Sequence, residues 1–381
     1  MSEAAELFAP GQIEQARRYH RPLYTSLVLN MALGLAVLAV LAFSSAGDRL
    51  YDALDRWPWW TRGVALPALV IVLSAIVRLP LAFWSGYLHE HTWGLSTQSV
   101  RGWLADRAKS LAVSLLFTTA LLLGLVALAR ALPGAWPAVA AAGAAVTVLL
   151  VGLVAPVVLE PLFNRFAPLA DAQLAEEVRE LAVRAGAPVR DVLVADASRR
   201  TRKMNAYVSG LGRTRRVVLY DTLLAKAEPR EARLVVAHEL GHRHARHVIK
   251  GTLLGMAGAV GFVLVLWVLL RWPSLRAAIG ASGAGDPRIA PFVLLLGSAL
   301  ELAGLPVGSA LSRRWEREAD RFSLELTRDS AAFETIHREL ALANLADLDP
   351  PRLLYLALFS HPTPPQRIAF GRRWKGSYGS G

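Results

Sequence analysis

Six apolar runs decide what this chain can become. They fall near residues 24–46, 62–86, 109–132, 136–159, 251–271 and 289–311, and each is long enough to cross the roughly 30 Å hydrocarbon core of a bilayer. Inside hydrocarbon every backbone amide must find its partner within the segment, so each run is expected to be a helix. Hydrophobic residues fill 54% of the 381 positions and charged ones only 19%, which excludes an ordinary soluble enzyme. The first run is also longer than the apolar core of a cleaved signal, about 7 to 15 residues, and is expected to be retained. The fold class expected is mainly α, a polytopic membrane helix bundle of about six spans. Four spans occupy 1–159, a polar segment 160–250, two more spans 251–311 and a polar tail 312–381.

An even number of spans puts the long segment, the tail and the N-terminus on one side. That side is expected to be cytoplasmic, because 17 lysines and arginines lie in 160–250 and 11 after 311, against few in the loops near 47–61, 133–135 and 272–288. The net charge of +12 therefore reads as membrane orientation. It does not suggest nucleic acid, because no RNA-binding or zinc-finger pattern accompanies it. The absence of cysteine excludes disulfides, thiolate metal sites and a cysteine nucleophile.

Within the polar segment, Asp171 is expected to cap a helix carrying Leu174, Val178, Leu181 and Ala185, stopped by Gly186 and Pro188. Three strand-like stretches follow, Val189–Ala195, Met204–Ser209 and Arg216–Tyr220, the last two joined by a turn at 210–212. Pro229 then opens a helix that is expected to run directly into the fifth span.

That helix carries the chemistry, in VVAHELGHRHARH from Val235 to His247. His238 and His242 lie one helical turn apart on one face, where two imidazoles can hold one zinc ion, and Glu239 stands beside them to take a proton from water. His244 and His247 point about 120° and 180° away from His238 on a continuous helix, and are expected to be polar positions facing the cytoplasm. A three-histidine site is excluded, because Ala245 and Val248 stand where HExxHxxGxxH needs glycine and histidine. A downstream carboxylate must complete the set, and depth selects it. Glu316 lies just beyond the sixth span, level with His242, whereas Glu301 lies about 20 Å deeper at about 1.5 Å per residue. Asp320, one turn beyond Glu316, is expected to orient a ligand histidine, while Glu318 faces away. Polar residues within the spans, Asn30, Thr118, Thr119 and Glu301, are expected to line a chamber.

At these residues the chain resembles the integral-membrane zinc metallopeptidases of the CaaX prenyl protease 1 type, with bacterial heat-shock membrane proteases of the HtpX kind as more distant relatives. HELGH at 238–242 and SRRWEREAD at 312–320 look like that family's paired motifs. EHTWGLSTQS at 90–99, EPLFNRFAPL at 160–169, NAYVSGLGRTRRVVLYDTLL at 205–224 and SHPTPPQRI at 360–368 are similar to its other segments. The resemblance implies a zincin-like α+β catalytic domain with a small sheet and one zinc per chain. It also implies a substrate-binding strand at Asn205, Ala206 and Tyr207, and roles for His361 and Arg367 in holding an oxyanion or a substrate carbonyl. The eukaryotic enzymes resembled carry an additional early span, and the Ala/Arg/Leu-rich, cysteine-free composition is bacterial in character. Prenylated substrates are therefore not carried over with the resemblance.

The expected activity is hydrolysis of peptide bonds in membrane-associated or lipidated peptides and proteins, or clearance of damaged membrane proteins by the same chemistry. The expected partners are such a substrate and the lipid bilayer, with no nucleic acid, at a bacterial inner membrane. A metal transporter fits less well, because the ionisable residues gather at one membrane face. A silent metal-binding scaffold has no need of Glu239.

Overall fold

The structure, a computed structural model, describes residues 3–210 and 216–378. Residues 211 and 212 of the expected turn, and the last three of the Gly/Ser end, lie outside them. Each expected span falls largely within one long helix, although 24–46, 109–132 and 251–271 run one to three residues past its C-terminal end. The N-terminal four are α1 (Pro10–Phe43), α2 (Trp59–Thr92), α3 (Val100–Ala131) and α4 (Trp136–Phe163). Both α2 and α4 widen to a π-helical turn, at Trp84–Leu88 and Ala155–Leu159, just before they leave the bundle. Such turns are frequent at functional sites, and here Glu90 lies two residues past the first while Glu160 directly follows the second.

The polar segment begins with a short strand the sequence pattern did not signal, β1 (Phe166–Pro168). Next comes α5 (Ala172–Arg184), capped by the Asp171 carboxylate on the Leu174 amide at 3.0 Å and ended at Gly186, whose φ of 66° suits glycine. The strands β2 (Asp191–Ala195), β3 (Ala206–Ser209) and β4 (Arg216–Tyr220) complete a sheet of order β1-β2-β4-β3. β2 and β4 run parallel, and β1 and β3 pair antiparallel on the outside. α6 (Pro229–His244) then packs on the sheet.

α6 does not run on into the fifth span. The chain breaks at Ala245 and Arg246, where Arg246 takes a left-handed φ of 56°, and α7 (His247–Leu269) starts afresh. No glycine or asparagine announces this break. α8 (Ala290–Thr327) carries the sixth span and continues without interruption through Glu316 and Asp320. The tail forms α9 (Ser330–Ala343), α10 (Arg352–Leu358) and α11 (Pro364–Tyr378).

The two largest of four apolar clusters among the described residues hold the molecule together. One joins the sheet to α5, α6, the end of α8 and α9 through residues such as Val178, Leu219, Leu240, Leu324 and Phe333. The other closes the far end of the bundle around Leu66, Val70, Leu266 and Ile289. Between them, polar contacts tie the bundle to the sheet. Glu90 meets Lys203 at 2.9 Å, Asp106 meets Arg200 at 2.7 Å and Glu160 meets Arg216 at 2.9 Å. The loop after α2 also pairs its backbone with residues 200–202. The N-terminal Ala4, Leu7 and Phe8 pack against Leu348 and Ile368 of the tail.

Within the bundle is a largely apolar cavity of about 830 Å³ lined by Thr118, Leu125, Phe262 and Glu301 among others. A smaller one of about 250 Å³ is lined by Asn30, Ser74, Arg78 and Glu301. Asn30, Thr118 and Glu301 thus take the expected positions. Thr119 does not, and turns its hydroxyl back to the Leu115 carbonyl at 2.5 Å. Arg78, which donates to Asn30 at 2.9 Å, is an intramembrane charge the span analysis passed over.

Candidate metal centre

The site begins with the way α6 is started. Glu228 precedes Pro229, and the Glu231 carboxylate returns to the Glu228 amide at 2.8 Å, forming a capping box. From there the i, i+4 pair His238 and His242 turns toward α8, and Gly241 lets the helices meet. A β-carbon on Gly241 would stand 2.9 Å from the Ala319 α-carbon. This crossing brings Glu316 into the cluster.

The His238 and His242 Nε2 atoms are 3.2 Å apart. Glu316 Oε2 lies 3.2 Å from His238 Nε2, and Glu316 Oε1 lies 3.2 Å from His242 Nε2. Tetrahedral ligands about 2.0–2.1 Å from one ion stand about 3.3 Å from each other, so the spacing fits a single ion. Glu316 Oε2 is buried with no hydrogen-bond partner among the described residues, as a lone pair reserved for a metal would be. His238 adds an electrostatic sign. Burial and Arg367 push its pKa down, but the Asp320 and Glu316 carboxylates outweigh them and carry it up to about 9. The pocket asks for positive charge.

Behind His238 the arrangement is dense. Its Nδ1 faces Asp320 Oδ1 at 2.9 Å. Arg367 donates to Asp320 through Nε at 2.9 Å and through Nη2, and the same Nη2 lies 3.2 Å from His238 Nδ1. Arg367 therefore stands on the Nδ1 side of the His238 imidazole, away from the Nε2 side that faces Glu316. His337, buried on α9, completes this shell at 3.9 Å from Asp320.

On the open side, His361 Nε2 lies 3.3 Å from Glu316 Oε1 with 58% of its side chain exposed. The Ser360 hydroxyl approaches its Nδ1 at 2.8 Å. If that hydroxyl donates, the ring proton sits at Nε2 and points into the site. The loop bearing His361 is held by Arg313, a residue sequence reasoning overlooked. Its guanidinium donates to the Tyr355, Leu356 and Phe359 carbonyls at the end of α10 at 2.9, 3.3 and 2.6 Å.

Glu239 lies between the cluster and the sheet. Burial pushes its carboxyl above the ordinary glutamate range, and the nearby Val208 backbone opposes that shift. Val208 belongs to β3, whose outer edge carries no other strand among the described residues. Ala206 and Tyr207 lie on that edge strand. Asn205 precedes it, its side chain accepting from the Ala206 amide at 2.9 Å, while the Tyr207 hydroxyl reaches away to Glu160 at 3.2 Å.

One expectation about a neighbouring residue is overturned. His247 does not face the cytoplasm. It is 4% exposed and lies 3.0 Å from His242, because the break at Arg246 cancels the rotation of a continuous helix. Glu318 faces away from Glu316, as expected, and on that side pairs with His247 at 3.1 Å. His244 stacks on Phe322 and, as expected, takes no part in the cluster.

Known proteins resemble this chain over most of its length. Residues 168–375 match Peptidase family M48, and residues 2–165 match the region described as CAAX prenyl protease N-terminal, five membrane helices. In that region this chain has four long apolar helices among its described residues. It is 28% identical over 375 residues to the uncharacterized metalloprotease YhfN of Bacillus subtilis, covering 96% of this chain and 87% of that one. It is 28% identical over 316 residues to CAAX prenyl protease 1 of Saccharomyces cerevisiae, covering 79% and 70%. The fold matches the crystal structure of S. mikatae Ste24p with a TM-score of 0.84 at 24% identity, over 96% of this chain and 90% of that one. With more than half its length inside the family and its six apolar helices intact, this chain belongs to peptidase family M48 and is a multi-pass membrane metalloendopeptidase.

Proposed function

We propose that the chain is a zinc-dependent endopeptidase that cleaves membrane-associated peptides, with His238, His242 and Glu316 as the metal ligands and Glu239 as general base. The observation that carries this reading is the two-imidazole, one-carboxylate cluster, a donor set that suits zinc, with Glu239 adjacent and His361 on its open side. When bound, the ion supplies Lewis acidity that makes a water easier to deprotonate and a carbonyl easier to attack.

The chain's own residues do the rest. Glu239, partly desolvated and so ready to hold a proton, takes it from the attacking water and returns it to the leaving amine. His361 donates from Nε2 to the oxygen that gains charge during attack. Asp320 orients His238 through Nδ1, and Arg367 fixes Asp320 in turn, which makes Arg367 a positioning residue. The free edge of β3, from Asn205 through Ala206 and Tyr207, offers backbone groups to an extended substrate and aligns it beside Glu239.

The site lies at the end of a bundle with an apolar cavity of about 830 Å³, which supports substrates that are themselves membrane-anchored or lipidated. The name of the yeast relative points the same way. The concentration of lysine and arginine beside the site supports a cytoplasmic catalytic face, at the inner membrane of a bacterium. Clearance of damaged membrane proteins would use the same residues.

The test is cleavage of a fluorogenic peptide panel, with and without a lipidated cysteine, by detergent-purified protein and its Glu239→Gln variant, with zinc measured in both. Cleavage by wild type alone, with equal zinc, is the expected outcome. Equal cleavage by the variant removes Glu239 from the mechanism, and preference within the panel decides between lipidated and plain substrates.

A further inference from the structure

We propose that His247 is a positioning residue for the metal centre, holding the His242 imidazole in the one tautomer and orientation that can bind the ion. The inference rests on the reading of His242 as a metal ligand and deepens it.

Two ring nitrogens face each other across the break between α6 and α7. His242 Nδ1 and His247 Nδ1 are 3.0 Å apart, a distance that needs one proton between them. His242 points its other nitrogen, Nε2, at Glu316 and His238. If Nε2 binds the ion, the proton of His242 sits at Nδ1 and His247 accepts it. His247 then carries its own proton at Nε2, where Glu318 Oε2 stands 3.1 Å away to accept it. A single assignment satisfies every nitrogen in the chain from Glu318 to the metal position, and the reverse assignment leaves His242 without a free Nε2 lone pair.

The surroundings hold His247 in this role. It is the first residue of α7, redirected under His242 by the left-handed Arg246, and its ring lies flat on Trp315 at 4.9 Å and 11°. Glu318 is steadied by Arg314 at 3.3 Å. One stretch of α8 therefore builds both sides of His242, with Glu316 at Nε2 and Trp315 and Glu318 gripping the imidazole behind Nδ1. The two ligand histidines are supported differently. His238 donates directly to the buried Asp320, whereas His242 donates to a neutral imidazole, itself backed by a carboxylate near the surface. Outer hydrogen bonds of this kind typically change metal affinity by about 10–100-fold.

The experiment measures zinc affinity of the full-length protein in detergent by competition with a chromophoric chelator, for wild type, His247→Phe, His247→Gln, Glu318→Gln and, as a control, His242→Ala. Phenylalanine keeps a ring against Trp315 but cannot accept a proton. Glutamine can both accept and donate. His247→Phe is expected to bind zinc about 10–100-fold more weakly, with His247→Gln recovering part of the loss and Glu318→Gln showing a smaller one. The visible spectrum of the cobalt-loaded protein should shift in His247→Phe, reporting a changed ligand field that lost packing alone does not produce. Wild-type affinity and spectrum in a folded His247→Phe overturn the proposal. If that variant does not fold, wild-type affinity in both His247→Gln and Glu318→Gln overturns it, and graded loss supports it. A wild-type protein that binds no zinc, or a His242→Ala variant that binds it equally well, marks failure of the ligand assignment itself.

Discussion

Gly241 and Ala319 meet backbone to backbone: a β-carbon on Gly241 would stand 2.9 Å from the Ala319 α-carbon and 3.1 Å from its carbonyl oxygen. That contact sets the separation of the helices bearing the histidines and Glu316. Gly241→Ala gains about 1 kcal/mol of helix propensity but forces rigid backbone apart, at a cost of about 1–3 kcal/mol. The variant should melt at a lower temperature and lose zinc on dialysis that leaves wild type loaded. A Gly241→Ala protein as stable and metal-retentive as wild type would show that the crossing tolerates a wider gap.

Asp320 and Arg367 should behave as one unit. Asp320→Asn removes the charge behind His238 and is expected to weaken zinc binding by about 10–100-fold. Arg367→Lys loses the fork onto both carboxylate oxygens and should fall in the same range. The double variant should be little worse than either single one, and additive losses would show that the two residues act separately.

Arg313 links Glu316 to His361, because it lies one turn before the former and grips the three carbonyls that lead to the latter. Arg313→Gln should leave zinc content unchanged while kcat falls by on the order of tenfold to a hundredfold, the effect of a small misplacement at a reacting centre. Zinc loss parallel to the activity loss would mean that Arg313 supports Glu316 instead.

His337 gives the fold an acid sensitivity. Burial, reinforced by the nearby Arg367, lowers its pKa to about 3 from an ordinary 6.5. Between those values the unfolded chain takes up a proton that the folded one refuses. Its contribution is therefore complete above about pH 6.5 and is lost as pH falls toward 3, at about 1.4 kcal/mol per pH unit. His337→Leu should flatten this part of the stability profile in denaturant titrations of zinc-loaded protein. Parallel slopes for the two proteins would sink the assignment.

The orientation can be tested with single cysteines, since the natural chain has none. A cysteine at Ser330 should react with a membrane-impermeant maleimide only when inverted vesicles expose the cytoplasmic face. One at Ser282, in the loop between α7 and α8, should react only from the opposite side. The reverse pattern would place the site outside the cytoplasm.

Much of this architecture is local and so was legible in the chain. Apolar runs of membrane length must become helices wherever the bilayer is, and the cap at Asp171 and the stop at Gly186 follow from backbone chemistry within a few residues. The i, i+4 spacing puts His238 and His242 on one face whatever surrounds them, and depth alone separated Glu316 from Glu301. What remained hidden depended on contacts between distant segments. The left-handed turn at Arg246 carries no glycine to announce it, and it brings His247 under His242 and against Glu318. The three-residue β1 is too short to show a pattern and exists because β2 offers it a ladder. Arg367 looked like a group aimed at substrate. Its place behind His238 was decided by Asp320, a buried carboxylate 47 positions away in the chain, which needs both arms of a guanidinium to be neutralised.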